Sequence, residues 1–206
     1  MKIFKPKFWD KNYFTFLSII LFPISFLYKI LLFFKNIFTK EEKFSIPIIC
    51  VGNIYIGGTG KTPISLKVCK ILKELQKNPV VIKKSYKNQE DELNLTRKYN
   101  KVLTSKKRRD AINIAIEKKY DFAILDDGYQ DTSIKKDLNI ICFHSKQKIG
   151  NGQIVPAGPL RDTLQSLKKC QIVVVNGQKN LEFEEKLKKY NSNLNFFYFK
   201  YYSQNI

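Results

Sequence analysis

Histidine is almost missing from this chain: among 206 residues only His144 is one. Cysteine is scarce too, and Cys50, Cys69, Cys142 and Cys170 stand far apart with no C-x-x-C pair. Such a set makes a poor zinc site. Cys50, Cys142 and Cys170 lie in or beside apolar runs and Cys69 in a helical pattern, so reduced core cysteines of a cytosolic domain are expected. No internal repeat and no low-complexity linker is visible, which argues against a repeat array and against two tethered soluble domains. Acidic residues are few, 18 against 37 lysines and arginines, and the formal charge is +19. That balance favours anionic partners: nucleotide, nucleic acid or acidic lipid. The charge is spread over the whole chain and consists mostly of lysine, so a lysine-rich, AT-biased proteome accounts for it equally well. The length suffices for one ordinary core with room for an appendage.

What the chain does have begins at its N-terminus. Residues 14–34, "FTFLSIILFPISFLYKILLFF", form a 21-residue apolar stretch. Its length approaches the roughly 20 residues that span a bilayer. Lys29 inside it, Pro23 within it and lysines on both flanks argue against a clean spanning helix. The lack of a small-residue cleavage site after it argues against a cleavable signal peptide. An interfacial or shallowly inserted helix fits best, its lysines reaching toward anionic headgroups. The alternative is a buried first helix of the globular domain. We therefore expect a membrane-anchoring segment over 1–40 and one domain over 41–206.

From residue 45 the pattern changes. "SIPIICVG" reads as a buried strand, and residues 61–76 place Ile64, Val68, Ile71, Leu72 and Leu75 on one helical face. Strands follow at 79–83, 101–104, 121–127, 138–144, 171–177 and 194–202, with a basic helix over 106–119. Strands alternating with helices predict an α/β fold, a parallel sheet flanked by helices.

Between the first strand and first helix of that pattern lies "NIYIGGTGKTPIS", residues 53–65. The strict pattern G-x-x-x-x-G-K-[ST] needs glycine where Tyr55 stands. The context is nevertheless that of a P-loop. Backbone N–H groups of Gly57, Gly58, Thr59 and Gly60 can close around phosphate oxygens, with the helix N-terminus adding positive partial charge. Lys61 would reach the outer phosphates and Thr62 would ligate magnesium. "FAILDDGYQ" ends a buried strand in Asp126 and Asp127, where P-loop enzymes place their second magnesium anchor; spacing does not say which aspartate meets the ion. "GNGQIVPAGPLRD" (150–162) reads as an ordered loop entering a helix, in which Arg161 either contacts a phosphate or faces solvent.

Taken in order, "VGNIYIGGTGKTP", "LDDGYQD" and "GNGQIVPAGPLRD" resemble the tetraacyldisaccharide 4'-kinases of lipid A biosynthesis. That family also lacks glycine at the position of Tyr55. The resemblance implies transfer of the γ-phosphate of ATP to the 4'-hydroxyl of an anionic tetraacylated disaccharide phosphate, at the cytoplasmic face of the bacterial inner membrane. It implies Lys61 and Thr62 as the phosphate and magnesium residues and Asp126 and Asp127 as the acidic motif, with Lys61 and Asp127 in catalytic roles. It also implies a catalytic aspartate at Asp91 in "QEDELNL", acting as a general base; Leu93 stands there for the family's proline. "KSYK" replaces a Gly-Tyr-Gly-Arg stretch, and Asp162 replaces a glutamate. A C-terminal lobe carrying the family's histidine is expected to be absent from this chain.

Two other classes compete. Membrane-associated partitioning ATPases carry a lysine just before the glycine pair, where this chain has Ile56. A nucleic-acid-binding module rests on charge alone, without aromatic–basic interleaving, so no nucleic-acid partner is expected. "KKRR" (106–109) is either a solvated face or a contributor to lipid-phosphate binding. Cations at a helix start are mildly disfavoured, and a bound anion would help account for them.

Overall fold

The computed structural model describes residues 5–11, 13–85 and 101–200. Short runs rich in Ile, Val, Leu and Phe form its strands, most of them buried on both faces. These are β1 (Ile48–Gly52), β2 (Pro79–Lys84), β3 (Val102–Ser105), β4 (Phe122–Asp126), β5 (Leu138–His144), β6 (Ile172–Asn176) and β7 (Asn195–Phe199). They make a seven-stranded sheet in the order β3-β2-β4-β1-β5-β6-β7. β1 pairs parallel with β4 and β5, β2 with β3 and β4, and β6 with β7. With its flanking helices this is the α/β P-loop architecture expected from the sequence.

The chain divides into two compact units. One comprises Lys40–Gly52 and Gly60–Ile141. It holds β1 to β4, the first part of β5, and two helices, α2 (Lys61–Glu74) and α3 (Arg108–Glu117). Helix α2 packs on β1, β2 and β4, and its buried residues are Ser65, Cys69 and Leu72. The expected face was rotated from this one: of its members only Leu72 is buried, while Ile71 and Leu75 are exposed. Both sets have helical spacing, and hydrophobicity chose the wrong one. Small Ser65 and Cys69 let the helix lie close to the sheet, and Gly60 fixes where the helix begins.

The other unit comprises Met1–Thr39, Asn53–Thr59 and Cys142–Ile206, including α1 (Phe16–Phe38), β6, β7 and α4 (Leu181–Lys188). The short helix α4, capped by Asn180, was not foreseen. Helix α1 runs on through Pro23 and buries only Ser18 and Ser25. The Ser25 hydroxyl donates to Ile154 O (3.0 Å) and accepts from Ala157 N (2.8 Å). The Ser18 hydroxyl accepts from Asn151 Nδ2 at 3.3 Å. Polar side chains thus seat the helix, and its phenylalanines, leucines and isoleucines point outward: Phe16 is 76% exposed and Phe38 79%. A buried first helix is therefore not what forms. At 23 residues α1 is long and apolar enough to cross a membrane by length and composition.

All four cysteines are buried and in no disulfide. Burial pushes the Cys50 thiol up to about 12, so it behaves as a small core residue and not as a nucleophile.

Candidate nucleotide and metal site

The glycine loop leaves β1 at Gly52 and enters α2 at Lys61. Its first part is braced from within its own unit. Asn53, fully buried, donates from Nδ2 to Thr59 Oγ1 (2.9 Å) and to Gly57 O (3.2 Å), so one amide fixes the curve of the loop. Arg161 donates to Asn53 O at 3.2 Å and to Asn53 Oδ1, and so braces the loop. The 150–162 motif also supplies backbone: Ile56 N donates to Pro159 O (2.8 Å) and Arg161 N to Ile54 O (2.7 Å).

Tyr55, the residue in the place of a glycine, bridges to Leu160 and is fully buried. Its hydroxyl donates to Asp10 Oδ1 at 3.0 Å. Burial raises the phenol far above its ordinary value, and the Asp10 carboxylate raises it further, so it stays protonated. A bridged, core-anchored residue has no need of glycine's freedom. That freedom is used at Gly57 (φ 118°) and Gly60 (φ 85°), in conformations that L side chains rarely adopt. A side chain built at Gly57 or Gly58 would meet nothing within 4 Å, so the loop leaves room above its backbone.

Within the other unit, α2 begins with Lys61 and Thr62, and β4 ends at Asp126. The Thr62 hydroxyl donates to Asp126 Oδ2 at 3.2 Å. Lys61 Nζ lies 3.7 Å from Asp127 Oδ1. Asp127 adopts a left-handed backbone (φ 57°), held by its N–H to Val51 O (2.8 Å) and by Arg108 Nη2 to its carbonyl (2.7 Å). This turn aims the two neighbouring carboxylates differently, Asp126 at Thr62 and Asp127 at Lys61. Gly52 contributes space: a side chain there would strike Tyr129 Cβ at 2.5 Å.

Asp126 is 4% exposed, and its Oδ1 has no hydrogen-bond partner among the described residues. An orphaned, buried carboxylate oxygen beside a threonine hydroxyl suits a hard cation such as magnesium. No cluster of three or more His, Cys, Asp or Glu occurs among the described residues, so such an ion would take most of its ligands from water and phosphate.

The structure thus brings together Lys61, Thr62, Asp126 and Asp127. Gly57, Gly58 and Thr59 stand in the loop that leads to them. Asp91 lies outside the described residues. Besides Asn53, two charged participants escaped sequence reasoning. Lys83 is 7% exposed and pairs with Asp126 Oδ2 at 3.0 Å; its only signal was a lysine closing the apolar run "PVVIKK". Buried Arg108 stands inside a basic run that reads either as a solvated face or as a contributor to lipid-phosphate binding.

The family model for Tetraacyldisaccharide-1-P 4'-kinase (LpxK) matches residues 17–205. The chain belongs to this family. A tetraacyldisaccharide 4'-kinase of Pelagibacter ubique is 42% identical over all of the chain and 66% of its own length. One from Rickettsia bellii is 31% identical over 79% of the chain and 55% of its own length. The crystal structure of LpxK from Aquifex aeolicus in complex with ATP superposes with a TM-score of 0.68 at 29% identity, covering 77% of this chain and 58% of that one. The chain therefore spans between about half and two thirds of the length of these family members.

Proposed function

We propose that the chain binds ATP with magnesium and transfers the γ-phosphate to the 4'-hydroxyl of a tetraacyldisaccharide 1-phosphate. Residues 41–206 form the kinase part in this reading. Residues 1–40 anchor it at the cytoplasmic face of the inner membrane, where an acceptor with acyl chains in the bilayer must be met. The observation that carries the reading is the cluster of Lys61, Thr62, Asp126 and Asp127 at the end of a glycine loop, in a chain of this family. The ATP complex of the Aquifex aeolicus relative supports it.

In this reading the loop amides of Gly57 to Gly60 and the start of α2 hold phosphate oxygens, and Lys61 neutralises charge at the transferred group. Thr62 and Asp126 are the residues that would hold magnesium, with Asp127 beside them. When bound, magnesium offsets the charge that develops on the phosphate oxygens. Lys83 holds the Asp126 carboxylate in place through their 3.0 Å pair. Asp91 withdraws the proton of the acceptor hydroxyl, a role that rests on the family pattern.

Phosphate transfer from labelled ATP to the tetraacyldisaccharide phosphate in detergent micelles with magnesium tests the proposal. Transfer is expected with the chain itself, falling at least about a hundredfold in Lys61→Ala. Absence of transfer in the unsubstituted chain, with ATP binding that depends on Lys61, would leave a nucleotide-binding protein and reject the kinase reading.

A further inference from the structure

The acidic residues of the candidate metal site already hold cations that belong to the chain. Lys83, next to the end of β2, is buried, and its ammonium lies 3.0 Å from Asp126 Oδ2. The same oxygen accepts from the Thr62 hydroxyl at 3.2 Å. Lys61 stands 3.7 Å from Asp127 Oδ1. Arg108, which donates to the Asp127 carbonyl, is matched by Asp131 at 3.4 Å. The charges of these six side chains therefore cancel, three against three.

A hard dication is held by oxygens that carry net negative charge. Asp126 Oδ1 offers it an open oxygen, yet the charge of that carboxylate is already offset by Lys83. Among the described residues no group of three or more His, Cys, Asp or Glu side chains is placed to hold an ion. A dication arriving alone would face the buried ammonium across a single carboxylate, with little water to screen the two. A nucleotide changes the balance, because its phosphates bring several negative charges to the same place. We infer that Lys83 is the resident counter-ion of the metal site: its ammonium stands in for a free cation at Asp126, so that magnesium is retained only together with the phosphates of the nucleotide. Lys83 acts through Asp126 and is thus a positioning residue. The inference rests on the kinase reading, in which Thr62 and Asp126 receive the ion. Its effect is twofold. A lone dication does not block the site ahead of the metal–nucleotide complex, and the buried Asp126 carboxylate keeps a partner while no metal is present.

Equilibrium dialysis of the full chain, in neutral detergent, against Mn2+ tests it, with and without a non-hydrolysable ATP analogue. The unsubstituted chain is expected to retain Mn2+ only when the analogue is present. Lys83→Gln removes the charge but keeps a donor for Asp126. It is expected to retain Mn2+ without nucleotide, with an affinity at least about tenfold above that of the unsubstituted chain. Lys83→Arg keeps the charge and should behave as the unsubstituted chain does. A lysine that only supported the fold would give no such gain, since a loosened site holds metal less well in both conditions. Equal Mn2+ affinity of Lys83→Gln and the unsubstituted chain without nucleotide overturns the inference. So does retention by the unsubstituted chain that is as firm without the analogue as with it. Circular dichroism checks the fold of each variant. If Lys83→Gln does not fold, thermal unfolding of the unsubstituted chain decides: magnesium alone should leave the midpoint where it is, and magnesium with the analogue should raise it above the analogue alone. Stabilisation by magnesium alone overturns the inference. If the analogue adds no Mn2+ to any of the chains, the ATP reading falls, and the comparison without nucleotide still decides the role of Lys83.

Discussion

Lys83 follows the apolar run 79–82 within β2, and its ammonium pairs with Asp126. Removing one member of a buried pair leaves the other charged and alone, which costs about 3–5 kcal/mol. Lys83→Met should therefore lower the free energy of unfolding obtained from urea titration by that much, and Lys83→Met/Asp126→Asn should recover part of it; equal unfolding free energies for Lys83→Met and the unsubstituted chain would show the pair to be incidental. Asp131 gives a pH-dependent counterpart. Burial alone would raise its carboxyl, but the Ser133 hydrogen bonds and the Arg108 charge outweigh it and hold the group below its ordinary value of 3.8. Its folded form thus binds the proton less readily than the unfolded form. The stabilisation is complete above the ordinary value and vanishes as pH falls through the lower, folded one. Asp131→Asn should lose stability at pH 7 and show a shallower acid limb in thermal unfolding measured from pH 6 to 2. A parallel acid limb in the variant would mean that Asp131 makes no such contribution.

Helix α1 is an element whose pattern misleads if apolar is equated with inward. Its two buried residues are serines, seated by the backbone of 154 and 157 and by Asn151, and the apolar majority is left to another solvent. Leu27 and Leu31, each 59% exposed, lie one turn apart on that outer surface. Each leucine buried in an apolar phase contributes about 1.5–3 kcal/mol, so Leu27→Asp/Leu31→Asp should weaken partition into anionic vesicles by at least about a hundredfold. Co-sedimentation checks this, and undiminished partition would move the anchor elsewhere. The elements show where sequence is legible and where it stops. Strand positions were readable because apolar runs bounded by turn residues have few other uses: β5 occupies the expected 138–144, and the others lie within a residue of theirs at either end, except that β1 starts and β7 ends three residues inside the expected bounds. The buried side of α2 was not readable, since Ser65 and Cys69 face the sheet for their small size, a property that hydropathy does not weigh. At the candidate site, the meeting of Lys61, Thr62, Asp126 and Asp127 was legible because the phosphate-loop pattern puts the first two at a helix start and the acidic pair at the end of a buried strand. Lys83, Asn53 and Arg108 were not, because their roles depend on partners 43, 6 and 23 residues away.

Over the whole molecule the charge of +19 acts together with the apolar helix. Long-range attraction to acidic headgroups is screened over a Debye length of about 10 Å at 0.1 M salt and about 3 Å at 1 M, whereas burial of leucine and phenylalanine is not. Binding to anionic vesicles should therefore fall about tenfold or more between these salt concentrations and then level off at the value for neutral vesicles. A fall to zero would assign all of the binding to charge, and no fall would assign it to the helix alone. The N-terminal segment is also joined to the glycine loop by something other than chain connectivity. Asp10 receives the Tyr55 hydroxyl, Lys5 pairs with Asp10 and lies over the Tyr55 ring at 4.8 Å, and Trp9 donates to Pro156 O at 3.0 Å. A protein engineer seeking a detergent-free version would be tempted to cut the chain before Lys40. That cut would also strip the loop of its outer brace and leave the Tyr55 hydroxyl without its acceptor. The more conservative route to solubility keeps residues 5–10 and recolours the outer surface of α1 with polar side chains, leaving Ser18 and Ser25 untouched.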